Sequence, residues 1–179
     1  MSTIYKTFRK IYGKPCWGLE YDPQLNLSMS FGDPILRIQE PQKSKSKNPL
    51  IRDLLSRRRV TVKGKWWLWI YCAYWKISLN DSPAASTSSS YLQISKSLTK
   101  LAGQLLNEVH VNPLTGATRF EFDLGGVLEV RRFERNSEDD LWMLYAPNGY
   151  VLSIRGDGRY SYAPGSIRDV ELHEISKAA

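Results

Sequence analysis

The sequence predicts an α+β protein with two similar lobes from an internal duplication, each a short N-terminal helix followed by an antiparallel meander of about five strands. The first observation is a self-match: segment 4–23 resembles segment 94–113, ninety positions later, with five identical residues. The second is the apolar period, which drops from about 3.6 to 2 residues after Gly13 and again after Gly103. A self-match at a fixed spacing constrains the architecture before any single element is considered.

A short helix is expected before the glycine of each repeat. Gly13 and Gly103 directly follow the last apolar residue, where a glycine commonly ends a helix because it adopts the left-handed conformation without a steric penalty. The apolar positions at helical spacing are Ile4, Phe8 and Ile11 in the first repeat and Ile94, Leu98 and Leu101 in the second.

Alternating apolar residues after each glycine predict strands separated by turns. In the first repeat a second turn is expected at residues 32–34, and each repeat is expected to end in a further hairpin. In this alignment residues 66–70 correspond to residues 141–145. The predicted strands are 18–21, 27–31, 35–38, 66–70 and 75–79 in the first repeat and 109–111, 120–122, 127–130, 141–145 and 150–154 in the second.

The predicted organisation is a first repeat at 1–81, a linker at 82–90 and a second repeat with a C-terminal tail at 91–179. The linker is inferred from small, polar residues with one proline. The first repeat also carries a basic insert at 39–65, which the second repeat lacks. Two arrangements fit this pattern: one sheet shared by both lobes, or two lobes that face each other across a pseudo-twofold axis.

Composition indicates a folded chain with a core of its own. Of 179 residues, 42% are hydrophobic and 12% aromatic. We expect a cytoplasmic protein without a membrane partner, because no apolar run approaches about eighteen residues and the N-terminus lacks the features of a secretory signal. Cys16 and Cys72 show no metal-binding spacing. Buried free thiols are expected, and a disulfide between them is the alternative that a reducing compartment disfavours.

The net charge of +7 is concentrated in one segment. Residues 39–65 hold nine basic and two acidic residues, which is also +7. Asp53 is the only acid expected to pair with these cations. The insert is interpreted either as a solvated loop with a short helix at 50–55, or as an arm that steers an acidic partner or a phosphate backbone.

The sequence contains no catalytic or metal-binding pattern, so we expect no enzyme, no cofactor and no metal site. His110 alternates with two valines on a predicted strand and is interpreted as solvated. His173 has acidic neighbours but no second histidine. Neither a nucleophile elbow nor a phosphate-binding glycine loop is present.

The segment 57–76 interleaves basic and aromatic residues, a pattern typical of proteins that bind single-stranded nucleic acids. Trp66 and Trp69 are the candidate base-stacking residues. The duplication favours a core strand instead, since these tryptophans align with apolar residues of the second repeat. A surface for a protein partner is the remaining interpretation.

The second repeat contains a run of turn and core motifs: Gly103-Gln104, Val109-His110-Val111, Arg119 to Asp123, Leu128-Glu129-Val130, Leu141 to Leu144 and Pro147-Asn148-Gly149. In these motifs it resembles small β-rich bacterial domains of uncharacterised function, some of which lie beside polymorphic toxins and are regarded as immunity proteins. The resemblance covers residues 103–158 and, more weakly, 13–79. It implies a non-enzymatic binder whose loops select the partner, and it carries over no catalytic residue. The basic insert departs from the acidic surfaces expected of nuclease inhibitors.

The sequence therefore predicts a bacterial protein that binds a macromolecule as an immunity-type neutraliser or adaptor. Its partner is expected to be a protein, such as a toxin or another acidic surface, and the alternative is a nucleic acid bound by the basic insert and the adjacent tryptophans. Pattern does not specify an oligomeric state. The predicted partner-binding residues are Lys43, Lys45, Lys47, Arg52, Arg57, Arg58, Arg59, Lys63 and Lys65, with Glu138, Asp139 and Asp140 as a second, acidic patch.

Overall fold

The computed structural model describes residues 2–22, 24, 26–133, 138–167 and 170–175. It is a mostly β fold with two antiparallel sheets of seven and five strands and few helices, which confirms the α+β class in this coarser form. The elements are α1 (Thr3–Phe8), β1 (Cys16–Tyr21), β2 (Leu27–Gln39), α2 (Pro49–Leu55), β3 (Arg59–Ile70), β4 (Ala73–Leu79), β5 (Ser82–Ser86), α3 (Tyr91–Leu101), β6 (Leu106–Val111), β7 (Thr118–Phe122), β8 (Gly126–Arg132), β9 (Asp140–Tyr145), β10 (Tyr150–Arg155), β11 (Arg159–Pro164) and β12 (His173–Glu174).

Both sheets contribute to one hydrophobic core. The first sheet has the strand order β1-β2-β3-β9-β10-β11-β12 and the second has the order β5-β4-β8-β7-β6. Phe8 of α1, Phe120 of the second sheet and Trp142 of the first meet edge to face, with ring centroids 5.5–5.9 Å apart. The indole N–H of Trp142 also donates to the hydroxyl of Thr118 at 2.8 Å, so the two sheets are joined by a buried hydrogen bond.

The two self-matching segments contact each other where their helices end. Segments 13–16 and 103–106 lie antiparallel and exchange backbone hydrogen bonds of 2.7–3.1 Å, with Pro15 facing Leu105 between them. Gly13 and Gly103 have positive φ angles of 74° and 88°. The predicted left-handed glycines are confirmed, and the segments they begin hold the two halves of the chain together.

Strand pairing corrects the prediction of a five-strand meander within each repeat. Each half forms a three-strand meander, β1-β2-β3 and β6-β7-β8, and the next strand then crosses to the other sheet. Thus β4 pairs with β8, and β9 pairs with β3. The crossing follows a short connection at Tyr71 and Cys72, where Cys72 has a φ of +50°. Because side-chain alternation specifies the buried face and not the neighbouring strand, the exchange could not be predicted from the pattern.

Two predicted connections are also part of strands. The turn expected at 32–34 lies inside β2, where the pairing register shifts between Phe31 and Pro34. A bulge bends a strand without ending it, so glycine and proline do not require a turn there. The predicted linker at 82–90 contains β5, and its Pro83 is tolerated because β5 is an edge strand.

Both cysteines are free, as expected. Cys16 is buried, and its thiol lies 3.1 Å from the carbonyl oxygen of Leu101. Burial raises the pKa of Cys16 to about 12, because the thiolate would lose its hydration. Cys72 is only partly buried, so the expectation of burial holds fully for Cys16 alone.

Candidate interaction surface

The hairpin of β2 and β3 extends beyond the first sheet as an arm, defined here as residues 34–64. Residues 34–39 pair with residues 59–64, whereas β1 pairs with β2 only as far as Phe31 and β9 pairs with β3 only at residues 67–70. Within the described part of the chain, no third strand joins the arm. Six residues at about 3.3 Å per residue give each arm strand a length of roughly 20 Å.

One face of the arm is apolar and open to solvent. Leu36 lies opposite Val62 and Ile38 lies opposite Val60, and these four side chains are 51–67% exposed. A two-stranded ribbon is marginally stable in water by itself, and contiguous exposed apolar side chains commonly mark an interaction site. Their alternation is visible in the sequence, but the assignment of residues 39–65 to an insert concealed that Val60 and Val62 belong to β3 and pair with the predicted strand at 35–38.

The tip of the arm is ordered by local hydrogen bonds. The predicted helix is confirmed as α2, and the side chain of Asn48 caps it by accepting from the backbone N–H of Leu50 at 3.0 Å. The guanidinium of Arg52 donates to the carbonyls of Ser46 and Lys47 at 2.9 and 3.1 Å. No residue of α2 is buried. Its exposed apolar residues are Leu50, Ile51 and Leu54.

Four cations of the insert form ion pairs, which corrects the expectation that Asp53 is their only acidic partner. The distances are 2.8–2.9 Å, and the Arg58 guanidinium contacts both carboxylate oxygens of Glu40. Asp53 lies four residues before Arg57, whereas the other three carboxylates lie far from their cations in sequence and are brought near by the β2–β3 pairing and the adjacent β1. The pairs are Arg57 with Asp53, Arg58 with Glu40, Lys63 with Glu20 and Lys65 with Asp33.

The remaining cations of the insert are available to a partner. Among the described residues, no carboxylate lies within 4.0 Å of Lys43, Lys45, Lys47 or Arg59. The pairs formed by the others are largely solvent-exposed, and such pairs contribute little to stability. Lys65 nevertheless holds the pKa of Asp33 below its usual range by hydrogen bonding to the carboxylate. The arm therefore keeps a net positive charge.

An aromatic ladder of Trp67, Trp69 and Tyr71 lies on the outer face of the first sheet, at the root of the arm. The rings of Trp67 and Trp69 are stacked with centroids 5.8 Å apart and planes within 10°, and Tyr71 follows Trp69 at 4.9 Å. At the end of the ladder nearest to the arm, the ammonium of Lys63 lies 4.8 Å from the Trp67 ring centroid. Trp67 and Trp69 are thus flanked by other rings and by a lysine, whereas Tyr71 at the far end of the ladder is 39% exposed.

The predicted base-stacking pair does not share a surface. Trp66 is 7% exposed and lies on the inner face, whereas Trp69 lies on the outer face. A separation of three residues places two side chains of a strand on opposite faces, and the period of two identifies Trp67 as the neighbour of Trp69. Base stacking needs an open ring face, and Trp69 lies between Trp67 and Tyr71.

The acidic patch lies at the opposite end of β3 from the arm. Residues 138–140 precede or begin β9, whose Trp142 pairs with Ile70, the last residue of β3. Glu138 and Asp139 are exposed, and burial raises the pKa of Asp140 despite a hydrogen bond to Ser153. The structure does not bring the acidic and basic residues onto one surface.

A cluster on the second sheet could hold a divalent cation. Potential ligand atoms of Glu108, His110 and Glu121 lie within 4.8 Å of one another. The sequence pattern did not predict this cluster, because Glu121 lies on β7 and the other two residues lie on β6. His110 is exposed, as expected. Glu121 already pairs with Arg119 at 2.6 Å, and the positive guanidinium competes with a metal for that carboxylate.

Comparisons with protein-family models, with curated proteins and with solved structures find no match for this chain. Across the residues that the structure describes, no helix combines the length and apolar character needed to cross a membrane. The function is therefore inferred from the shape, charge and exposed side chains of the arm.

Proposed function

We propose that this chain is a non-enzymatic protein-binding module that engages an acidic protein through the arm. The observation that carries the proposal is the exposed apolar face formed by Leu36, Ile38, Val60 and Val62 on a positively charged ribbon. Burial of these side chains against a partner would supply affinity. The surrounding cations would accelerate encounter with an acidic surface and favour it over basic ones.

The aliphatic face favours a protein over a nucleic acid. Phosphate backbones are bound by Lys and Arg, and bases stack on open aromatic rings. Leu36, Ile38 and the two valines serve neither purpose, and Trp69, the predicted stacking residue on the outer face, is flanked by Trp67 and Tyr71. In contrast, protein interfaces have apolar centres with polar and charged rims.

An immunity-type neutraliser or adaptor in a bacterial cytoplasm is the role we propose for such a module. A ribbon about 20 Å long that projects from a packed core can reach into a cleft of the partner. Among the described residues the arm occurs once, since the equivalent connection between β7 and β8 is the short turn at 123–125. We therefore propose that the arm selects the partner and that the two sheets form the scaffold that holds the arm.

We also propose that the chain arose by internal duplication with exchanged strands. The order β1-β2-β3-β9-β10 in the first sheet parallels β6-β7-β8-β4-β5 in the second. This correspondence makes Trp75 equivalent to Trp142, because Trp75 pairs with Val130 of β8 and Trp142 pairs with Ile70 of β3. It replaces the sequence alignment of residues 66–70 with 141–145, which are instead neighbours in one sheet.

The test is affinity capture from a lysate of the native host, at physiological salt, followed by mass spectrometry. The wild type should retain an acidic protein that Leu36→Lys and Val62→Lys lose, since each substitution removes apolar surface and keeps the positive charge. Thr61→Lys is the matched control, because it adds the same charge to the other face of the arm. Circular dichroism verifies that each variant is folded.

Two results would refute the proposal. One is a captured protein that all three lysine variants retain equally. The other is capture of nucleic acid alone, released by nuclease treatment and unaffected by Leu36→Lys.

A further inference from the structure

Building on the proposed function, we infer that the arm binds its partner by strand addition. An extended segment of the partner, alternating acidic and aliphatic residues, pairs with the free backbone edge of β3 at residues 59–64. Three features of the arm support strand addition: an unpaired edge, the pattern of side chains beside that edge, and charges that disfavour pairing with a second copy of this chain.

The edge of β3 is open along the arm. β3 pairs with β2 over its whole length, but on its other side it pairs with β9 only from Trp67 to Ile70. β9 ends at Tyr145, opposite Trp67, so within the described residues the free edge runs from the root of the arm to its tip. Unpaired N–H and C=O groups in such an edge are a template for another strand.

The edge of β3 is a better template than the edge of β2. The other free edge of the arm belongs to β2, and its first residue is Pro34, which has no N–H to donate. Residues 59–64 of β3 contain no proline. Their only glycine is Gly64, at the root, where the side chain of Ser30 already accepts from its N–H at 3.0 Å. An added strand is therefore expected on the β3 side.

The side chains beside this edge define the chemistry of the added strand. Val60 and Val62 point to the exposed apolar face, and Arg59, Thr61 and Lys63 alternate with them. Neighbouring strands place side chains next to one another on the same face, so aliphatic residues fit beside the valines and acidic residues beside the cations. A matching segment has about six residues that alternate valine-like and glutamate-like side chains.

Charge disfavours a second copy of this chain as the occupant. If two copies of residues 59–65 paired antiparallel about Val62, Arg59 of each copy would lie opposite Lys65 of the other. Like charges directly opposite each other destabilise a strand pair, and lysines on an edge are a common means of preventing self-association. The same cations attract an acidic strand.

The experiment uses a fluorescein-labelled heptapeptide of alternating glutamate and valine, titrated with the full chain at low salt and followed by anisotropy. A peptide with lysine in place of glutamate is the charge control. Two further peptides carry backbone N-methyl groups on one or the other alternate set of amides. Successive amides of a strand point to opposite edges, so only one set faces β3.

The glutamate peptide is expected to bind, and the lysine peptide is not. N-methylation of one set should weaken binding by roughly 10-fold or more, because several hydrogen bonds are lost, while N-methylation of the other set should leave binding intact. Val62→Lys in the protein should also weaken binding, whereas Thr61→Lys should not.

Equal binding of both N-methylated peptides would overturn strand addition, and so would binding of the lysine peptide or no binding of the glutamate peptide. A dimer in sedimentation analysis that Val62→Lys dissociates would overturn it as well, because a second copy would then occupy the edge. None of these results refutes the proposed function, which fails on two other outcomes: equal retention of the captured protein by the Leu36→Lys, Val62→Lys and Thr61→Lys variants, or capture of nucleic acid alone.

Discussion

The backbone N–H of Gly13 donates to the carbonyl of Leu106 at 2.8 Å, and ninety residues later the N–H of Gly103 donates to the carbonyl of Cys16 at 2.7 Å. The two donor residues are ninety positions apart, and so are the two acceptor residues, which is the offset of the self-match. Each bond joins the end of one helical segment to the first strand of the other half. The glycines are therefore part of the contact that holds the halves together.

Alanine at either of these glycines should lower the free energy of unfolding by about 1–2 kcal/mol, because an L-residue is strained at positive φ. No heavy atom lies within 4 Å of a Cβ added at Gly13 or Gly103, so the cost is conformational and not a clash. Urea denaturation measures it. At Gly116, an added Cβ would overlap the carbonyl oxygen of Arg155, and Gly116→Ala should cost clearly more. Equal costs at all three sites would contradict this explanation.

Thr118→Val should destabilise the protein by about 1–3 kcal/mol, since the indole N–H of Trp142 would be buried without an acceptor. Chemical denaturation of a double-mutant cycle isolates this term. In a Trp142→Phe background the same Thr118 substitution should cost much less, because no N–H remains to be satisfied. Equal costs in both backgrounds would show that the hydrogen bond between the sheets contributes nothing.

The raised pKa of Cys16 predicts that stability falls at alkaline pH. Its pKa rises from 9.0 to about 12 on folding, so the thiol ionises more readily in the unfolded chain. The stabilisation is complete below pH 9.0 and is lost as the pH rises toward 12. Thermal unfolding as a function of pH should therefore show a steeper alkaline decline for the wild type than for Cys16→Ala. Parallel curves would contradict the burial of a neutral thiol.

The two tryptophans predicted to stack on bases should differ in their contribution to stability. Trp66→Ala should lower the free energy of unfolding by about 3–5 kcal/mol, the usual cost of removing a buried tryptophan. Trp69→Ala should cost less, since its ring packs on the outer face and is partly exposed. Guanidinium denaturation of both variants tests this. A larger loss at Trp69 would mean that the aromatic ladder contributes more than the inner core.

Trp69→Ala also distinguishes a protein partner from a nucleic acid that stacks its bases on this ring. Any retention of single-stranded oligonucleotides at low salt should decline with added salt and should not change in this variant, because the ring faces of Trp69 are covered by Trp67 and Tyr71. Filter binding over a salt series measures both effects. A marked loss of oligonucleotide affinity in Trp69→Ala would restore the base-stacking interpretation.

Several functional features of the arm were accessible from the sequence and others were not. The cations of residues 39–65 and the short helix at its tip are predicted, because charge and helix capping are local properties. The partners Glu20, Asp33 and Glu40 were missed, since their contacts depend on which strands pair. Trp67 was missed although the period of two along β3 identifies it as the neighbour of Trp69.

The sequence by itself determined the helices and most of the strands, but not β5, the continuity of β2 across residues 32–34 or the extension of β3 to Arg59. The predicted elements follow from local backbone preference and from the periodic burial of apolar side chains. Only the tertiary structure decided that β4 joins β8 and β9 joins β3, and that Leu36, Ile38, Val60 and Val62 stay in solvent. The physical reason is that an apolar alternation is the same whether a strand is covered or projects from the sheet, and the neighbours that would cover it are chosen by contacts distant in sequence.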